Sequence, residues 1–304
     1  MNKSKFNQSL IESRNALALL ELVVAIGIIA LILAIMAPAL NKARRKAFSI
    51  KCMDNHRNIA IALSAFASEN KSRYPESVAT IGQESGHWNW QEPTMLIASR
   101  PRSPEMHRSM SEYLRGYIQD TAILLCPTAP EKNKFLQQAW DAGDSWDNPQ
   151  TLPPEDPLIG SYCFYWNYTG YLPQSDTPFQ GPKHMESHPG QSRLLVSDYF
   201  GFGHWRNKLV YGDYKAYGSC ERFAAASITP GTEVSSAFWS SNNPDLNLDT
   251  FGVELHAAYT DGHVKSYSPT ETAILEVSKT PDGSVPYPAQ LGPGQFYLPE
   301  EALY

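Results

Sequence analysis

The stretch LALLELVVAIGIIALILAIMAPAL, which runs from Leu17 to Leu40, decides how this chain is organised. It contains 24 residues and one charged side chain, Glu21, so the 19 residues from Leu22 to Leu40 carry no charge. An apolar helix of about 20 residues spans the hydrocarbon core of a bilayer. The sequence therefore predicts a membrane-spanning helix rather than a core helix, because basic residues flank the stretch on both sides.

Charge is distributed unevenly along the 304 residues. Residues 1–57 hold nine Lys and Arg against three Asp and Glu, whereas the remaining residues hold 16 against 28. The aromatic content of 12% and the net charge of −6 are typical of a folded chain with a sizeable core. Because the folded part is acidic, we expect no nucleic-acid partner.

Two interpretations of the apolar stretch compete. The small residues Ala37 and Ala39 around Pro38 fit the cleavage site of a secretory signal peptide. The other interpretation is a retained anchor, and Glu21 favours it. A carboxylate costs about 2.5–3.5 kcal/mol at the bilayer centre and less towards the interface. A secretory signal has no use for such a residue, so Glu21 either has a function in the membrane or reaches the interface.

This arrangement resembles the amino terminus of type IV prepilins and type II secretion pseudopilins. Those proteins have a basic leader and, after the cleavage site, an apolar helix with Glu as its fifth residue. Here a cut after Ala16 makes Leu17 the first mature residue, Glu21 the fifth and Pro38 the twenty-second, where such helices commonly carry proline. Ala16 and Leu17 depart from the commoner Gly and Phe.

The resemblance implies a role for each of these residues. A prepilin peptidase would free an α-amino group on Leu17, which is cationic at neutral pH and would then be N-methylated. Glu21 of one subunit would neutralise the Leu17 amine of a neighbour and set the register of assembly. Pro38 cannot donate to the Ala34 carbonyl, so the helix is expected to loosen there.

Partners and location also follow from the resemblance. The partners are other pilin or pseudopilin subunits, a prepilin peptidase/N-methyltransferase, inner-membrane assembly machinery and membrane lipid. The chain would cross the bacterial inner membrane once, with a cytoplasmic amino terminus and a periplasmic body, and then join a periplasmic or extracellular filament. It would be structural and not an enzyme. The sequence leaves open whether the filament is a type IV pilus or a type II secretion pseudopilus.

Residues 41–72 are expected to extend the helix beyond the membrane. Apolar residues recur there at helical spacing, at Phe48, Cys52, Ile59, Leu63 and Phe66. The helix is expected to end within Glu69–Ser72, just before Pro75. The run CMDNHRNIAIALSAFASENKSRYP resembles pilin-like families abundant in planctomycete- and lentisphaera-type bacteria.

Residues 73–304 are expected to form a globular α+β head. Short apolar runs separated by turn residues predict antiparallel strands with long loops. The predicted strands lie within Thr121–Cys126, Ile159–Trp166, Arg193–Tyr199, Leu209–Tyr214 and Gly252–Tyr259. Together with residues 1–16 as leader and 17–40 as assembly helix, this predicts a pilin-like fold in which a long helix packs on a sheet.

Asp261-Gly262 marks the clearest hairpin. This dipeptide between alternating residues favours a type I′ turn with two loop residues. That register places Tyr259 opposite Val264, and His256 opposite Tyr267.

The hairpin also resembles the carboxy-terminal motif of the same pilin-like proteins, in which a His lies ten residues before Asp-Gly. Asp261 and Gly262 match that motif. Phe251 occupies the histidine position, and His256 is only five residues before Asp261.

The sequence matches known catalytic and metal-binding motifs only weakly. His184 and His188 are four residues apart, but Pro182 and Pro189 bracket them and the HExxH order is absent. We therefore expect a solvated loop and no metal.

Asp198, Asp213 and Asp261 are the candidates for calcium, although no loop has an EF-hand pattern. No other cofactor is expected.

The four cysteines, Cys52, Cys126, Cys163 and Cys220, all follow the apolar stretch. In an oxidising compartment they form up to two disulfides in three connectivities, unless some are simply buried small residues.

An alternative function is a membrane-anchored or secreted carbohydrate-binding protein with an adhesive role, or a hydrolase. Aromatic clusters at His87–Trp90 and Phe164–Tyr171 would supply stacking platforms for sugars, although such clusters more often pack in cores.

Overall fold

The structure of the protein is a computed structural model. It describes residues 3–80, 93–97, 108–127, 135–146, 158–175, 177–186, 188–202, 254–277 and 294–303. The chain divides into two compact units, Met1–Ala47 and Phe48–Tyr304. The described elements are a long helix, short helices and antiparallel sheets, so the fold is α+β as predicted.

Helix α1 (Lys3–Glu69) supplies the described part of the first unit. The large apolar side chains described between Leu19 and Leu40 are all at least half exposed. Among the described residues, α1 is the one helix that is able to cross a membrane by its length and composition. The sequence prediction of a long apolar helix near the amino terminus is confirmed to that extent.

In the second unit, α1 has a buried apolar face. Cys52, Ile59 and Leu63 are fully buried, whereas Phe48 and Phe66 are half-buried. The helical spacing in the sequence therefore identified the packing face correctly.

Helix α1 ends at Glu69, where the sequence predicted its end. Lys71 and Ser72 adopt the left-handed conformation, with φ of 56° and 62°. The amide of Ser72 donates to the carbonyl of Ala67 at 2.8 Å and closes the helix end.

The main sheet of the second unit has four antiparallel strands in the order β3-β6-β8-β9. Their bounds are β3 (Tyr162–Phe164), β6 (Leu194–Asp198), β8 (Leu255–Tyr259) and β9 (Val264–Tyr267). Every residue of β6 and β8 is buried. These two strands therefore lie within the core of the second unit.

Smaller elements complete the described head. The strands are β1 (Met95–Ile97), β2 (Leu158–Ile159), β4 (Thr169–Gly170), β5 (Phe179–Gln180), β7 (Gly201–Phe202), β10 (Thr272–Val277) and β11 (Gly294–Pro299). β10-β11-β7 form a sheet, and β1-β2 and β4-β5 form two antiparallel pairs. The helices are α2 (Ser111–Leu114), α3 (Leu136–Ala142) and 3-10 turns at Thr121–Leu124, Gly143–Ser145, Pro269–Glu271 and Glu300–Leu303.

Two predicted strands match the structure closely and a third matches in part. β6 occupies most of Arg193–Tyr199, and β8 forms the end of Gly252–Tyr259. β3 and the last residue of β2 fall within Ile159–Trp166. The run Leu209–Tyr214 lies outside the described residues.

The predicted strand at Thr121–Cys126 is wrong, because Thr121–Leu124 is a 3-10 helix. Asp120 caps it, with Oδ1 accepting from the amide of Ala122 at 2.9 Å. A side chain that satisfies a helix-terminal amide favours the turn over the extended strand.

The hairpin between β8 and β9 exists, but its predicted register is off by one residue. Ala258, not Tyr259, lies opposite Val264. Gly262 has a φ of 81°, whereas Asp261 is not among the residues with positive φ. The amide of Gly262 donates to the carbonyl of Tyr259 at 2.9 Å. The loop therefore has three residues and a glycine bulge, because only the glycine takes the left-handed conformation.

Candidate functional site

A cluster of polar side chains is buried where α1 meets the main sheet, within the second unit. Ser49 and His56 come from α1, Asp198 ends β6, Glu254 precedes β8 and His256 lies on β8. Ser49 is 2% exposed, and His56, Asp198 and His256 are 0% exposed. We call these five residues the buried histidine cluster.

His256 is the central residue of the cluster. Its Nδ1 lies 2.7 Å from Oδ2 of Asp198, and its backbone amide donates to the same oxygen at 2.9 Å. Its Nε2 lies 3.0 Å from Oγ of Ser49. Because β6 and β8 are hydrogen-bonded neighbours, the sheet fixes Asp198 beside His256, and helix α1 supplies the serine.

Ser49 contacts a second acidic residue. Its hydroxyl donates to Oε2 of Glu254 at 3.2 Å. The oxygen of Ser49 thus lies between Nε2 of His256 and a carboxylate. A hydroxyl has one proton, so Ser49 donates either to His256 or to Glu254 at a given moment.

His56 lies on the other side of Asp198. Its Nε2 is 3.4 Å from Oδ1 of Asp198, yet neither ring nitrogen makes a hydrogen bond. The ring packs edge-on against Tyr162, with centroids 4.5 Å apart. Burial lowers the pKa of His56 to about 4; the charge of Asp198 opposes this shift and His256 adds to it. His56 is therefore neutral at pH 7.

Ser49, His256 and Asp198 have the connectivity of a Ser-His-Asp triad. Their burial argues against nucleophilic catalysis, because a substrate must reach the serine oxygen. Glu254 also places negative charge next to the position where an alkoxide would form. The geometry fits a structural link between α1 and the sheet. The described residues contain no group of three or more His, Cys, Asp or Glu able to hold a metal ion.

A second set of polar contacts is centred on Asn55, the residue that precedes His56 on α1. The amide nitrogen of Asn55 donates to the carbonyl of Leu125 and to the hydroxyl of Tyr162, each at 3.0 Å. The Tyr162 hydroxyl in turn donates to Sγ of Cys52 at 3.7 Å. Burial raises the pKa of Tyr162 well above its ordinary value, so this hydroxyl keeps its proton.

The residues predicted to take part in processing and assembly all lie on α1. Ala16 and Leu17 are within the helix, and the helix continues through Pro38. The side chains of Glu21 and Pro38 are exposed.

The predicted carboxy-terminal motif lies at the tip of the β8-β9 hairpin. Asp261 accepts from Nη2 of Arg193 at 2.5 Å and from Nδ1 of His263 at 2.5 Å. Slight burial opposes ionisation, but the hydrogen bonds from His263 and the charge of Arg193 hold the pKa of Asp261 below its ordinary value. Gly262 supplies the left-handed turn.

The three aspartates suggested for calcium do not converge in the described residues. Asp198 contacts the two histidines of the cluster, whereas Asp261 contacts Arg193 at the exposed tip. Asp213 lies outside the described residues.

His184 and His188 stack with ring centroids 5.2 Å apart, in a segment with no helix among its described residues.

Three of the four cysteines lie within the described residues. Cys52 is disulfide-bonded, and Cys126 and Cys163 are buried in the core. Cys220 lies outside the described residues. The sulfurs of Cys52 and Cys126 are 3.3 Å apart. Which of the four cysteines pair with one another therefore stays a prediction.

The aromatic cluster suggested as a sugar platform is largely in the core. Phe164, Tyr165, Trp166 and Tyr168 are all less than 5% exposed. Rings packed on all sides cannot stack on an external sugar, so these four rings are not available as a stacking platform, while carbohydrate binding itself stays a prediction. The other cluster, His87–Trp90, lies outside the described residues.

Comparison with protein-family models, curated proteins and solved structures finds no match.

The buried histidine cluster was missed by sequence reasoning, although a signal was present. His56 lies four residues after Cys52 and three before Ile59, in the middle of the apolar stripe of α1. Asp198 ends the apolar run of β6 in the same way. Polar residues at positions that periodicity assigns to the core indicate buried partners.

Proposed function

We propose that this protein is a pilin-like structural subunit. In this proposal a prepilin peptidase cuts after Ala16, the Leu17 amine is methylated, and the subunit assembles through Leu17–Leu40 into a pseudopilus or pilus-like filament. The head carries no catalytic role. The observation that carries the proposal is the position of Glu21. This residue is the one charged side chain in the apolar stretch Leu17–Leu40 and the fifth residue after Ala16.

The surface of the helix supports assembly. Apolar side chains on all its faces are exposed in the single chain, with Leu19 and Leu40 at 66% and 69%. A soluble monomer does not expose an apolar surface of this extent, so lipid or neighbouring helices must cover it. A bilayer covers it before assembly, and the same helices of other subunits cover it afterwards.

The charge of Glu21 explains why the apolar helix is better covered by the same helices of other subunits than by lipid alone. An isolated carboxylate in a membrane is costly, and an oppositely charged partner reduces that cost. The Leu17 amine created by cleavage is such a partner on a neighbouring copy. A plain anchor needs neither group.

The head is attached firmly to the helical segment that follows the membrane stretch. Cys52, Ile59 and Leu63 are buried in the core, and Ser49 and His56 belong to the buried histidine cluster. The head therefore holds residues 49–63 of α1 by both apolar packing and buried polar contacts. A subunit that is held in a polymer by its helix needs such an attachment.

The direct test is the mature amino terminus. The full chain is produced in bacteria that carry a prepilin peptidase, and the purified membrane protein is analysed by intact and peptide mass spectrometry. The expected result is a chain that starts at Leu17 with a methylated α-amine. A start near Leu40 would indicate soluble secretion, and retention of Met1 would indicate a plain anchor. Either result would refute the proposal.

Carbohydrate binding remains the alternative function. The burial of Phe164, Tyr165, Trp166 and Tyr168 weighs against it, because these rings are used for packing within the head.

A further inference from the structure

Basic residues are concentrated directly after the apolar stretch of α1. Lys42, Arg44, Arg45 and Lys46 fall within residues 42–46, and no Asp or Glu occurs between Glu21 and Asp54. The side chains of Lys42, Arg44 and Lys46 are exposed. All charges of this part of the helix are therefore positive. We call residues 42–46 the basic segment.

The geometry of α1 places the basic segment at the level of lipid headgroups. The helix is continuous from Lys3 to Glu69, so its rise per residue fixes distances along its axis. The uncharged residues 22–40 extend for about 28 Å, which matches the hydrocarbon core of about 30 Å. Lys42 follows Leu40 by about 3 Å along the axis, and Lys46 follows it by about 9 Å. The headgroup layer is about 5–8 Å thick on each side of the core, so these cations lie within it or at its outer edge.

The cations lie on more than one side of the helix. Successive residues are rotated by about 100°, so Lys42 and Lys46 are one turn apart on one side, and Arg44 is on the opposite side. Long basic side chains keep their charged groups in the polar layer while their methylene stems cover apolar surface. Lipids on opposite sides of the helix therefore meet a cation at the depth of their phosphate groups.

We propose that the basic segment binds the phosphate headgroups of anionic phospholipids through Lys42, Arg44 and Lys46. An anionic headgroup has a net negative charge, whereas a zwitterionic headgroup has none, so the segment selects the anionic lipid by charge. An arginine contacts two phosphate oxygens at once, and a lysine acts as a point charge. Lipid is the source of the phosphate because the adjoining apolar stretch holds the segment at the bilayer surface, where lipid phosphates are concentrated.

The amino-terminal side of the apolar stretch differs from the basic segment. Lys3, Lys5 and Arg14 are spread over residues 3–14, and Glu12 and Glu21 accompany them. Selection of anionic lipid is therefore expected in the leaflet that contacts residues 42–46. The binding needs only the membrane span, so it is independent of cleavage after Ala16.

Lipid selection is tested with the full chain reconstituted into phosphatidylcholine vesicles. A trace of spin-labelled phosphatidylglycerol or spin-labelled phosphatidylcholine is added, and electron paramagnetic resonance measures the fraction of labelled lipid whose motion the protein restricts. Each basic residue near the surface favours an anionic headgroup by roughly fivefold. The labelled phosphatidylglycerol should therefore associate at least about fivefold more strongly than the labelled phosphatidylcholine. Raising the salt concentration from about 0.1 M to 1 M should reduce this preference.

Two double variants with the same loss of charge locate the effect. Lys42→Gln with Arg44→Gln should lower the preference by about fivefold or more. Lys51→Gln with Arg57→Gln should leave it unchanged. Lys51 and Arg57 are exposed on the same helix, but they lie about 17 and 26 Å beyond Leu40, outside the headgroup layer.

Equal restriction of the two labelled lipids by the wild-type protein would overturn the proposal, and this comparison requires no variant. A preference that persists in the variant of Lys42 and Arg44 would overturn it as well. Displacement of the labelled phosphatidylglycerol by glycerol 3-phosphate at constant ionic strength would assign the segment to soluble phosphates instead of lipid. The mature amino terminus is measured separately, so failure of lipid selection and failure of the pilin-like function are distinguishable.

Discussion

Nδ1 of His256 lies 2.7 Å from Oδ2 of Asp198, in a part of the head where both side chains are 0% exposed. The same carboxylate accepts the backbone amide of His256 and approaches His56 of α1. A single acidic residue at the end of β6 therefore satisfies polar groups on the adjacent strand and lies next to the helix. Removing its charge leaves the backbone amide and the imidazole Nδ1 of the buried His256 without this acceptor.

Asp198→Ala should lower the free energy of unfolding by about 3–5 kcal/mol, because it leaves buried polar groups unsatisfied. Chemical denaturation of the full chain in detergent, followed by tryptophan fluorescence, measures this. Asp261→Ala is the matched control, since Asp261 is exposed and its ion pair with Arg193 is expected to contribute no more than about 1 kcal/mol. Equal losses of unfolding free energy in the two variants would contradict the importance of the buried histidine cluster.

Acidification should destabilise the head through His56. Above pH 6.5 His56 is neutral in both the folded and the unfolded chain. As the pH falls from 6.5, the ordinary pKa, to about 4, the pKa in the folded head, the unfolded chain binds a proton that the folded chain excludes. The free energy of unfolding should therefore fall by roughly 3 kcal/mol over this range.

His56→Gln is the variant that isolates this effect, because glutamine does not titrate. Its unfolding free energy, measured by denaturation at a series of pH values, should depend less steeply on pH between 6.5 and 4 than that of the wild type. Parallel pH profiles for the two proteins would show that His56 does not carry the dependence.

Ser49 should not react with an active-site-directed fluorophosphonate, despite its contact with His256. The side chain is 2% exposed and Glu254 lies 3.2 Å from its oxygen, so the reagent has no access and the alkoxide is disfavoured. Mass spectrometry of the treated full chain is the measurement. Labelling that disappears in both Ser49→Ala and His256→Gln would reveal an active serine and contradict the structural interpretation of the cluster.

Glu21→Gln should reduce incorporation into polymer by about tenfold or more while the head stays folded, because the neighbouring Leu17 amine loses its counter-ion. The measurement is the ratio of sedimented filament to total processed protein. Glu12→Gln is a matched control, since it makes the same chemical change in the leader that cleavage removes. Unchanged incorporation of the Glu21 variant would disprove charge pairing.

Gly262→Ala should destabilise the head by about 1–2 kcal/mol. Gly262 has a φ of 81°, and an added Cβ would meet no atom within 4 Å, so the cost is conformational and not steric. Gly116→Ala is the control, because its Cβ also meets nothing within 4 Å and its backbone has no positive φ. Denaturation midpoints should separate the two variants, and coincident midpoints would argue against the left-handed turn.

The sequence predicted the elements that depend on local pattern. A long apolar helix near the amino terminus, the buried face of that helix at Cys52, Ile59 and Leu63, and its end at Glu69 were predicted correctly. Hydrophobic periodicity and chain-breaking residues act over a few residues, which is why these features are readable in one chain. The processing site at Ala16 and the pairing role of Glu21 stay predictions.

The incorrect predictions concern segments whose local sequence pattern is compatible with two different structures. Asp261-Gly262 was compatible with a two-residue or a three-residue loop, and the bonds to Arg193 and His263 accompany the second. Thr121–Leu124 had the composition of a strand, but the cap from Asp120 made it helical. In both cases side-chain hydrogen bonds outweighed residue propensity.

By itself the sequence determined that an apolar helix precedes a mixed α+β head, because helix period, charge distribution and breakers are properties of consecutive residues. Tertiary structure alone decided that His56, Asp198 and His256 share one buried site, and that Cys52 and Cys126 touch. These residues are separated by tens to hundreds of positions along the chain. Their meeting depends on how α1 packs onto β6 and β8, and no local pattern encodes that packing.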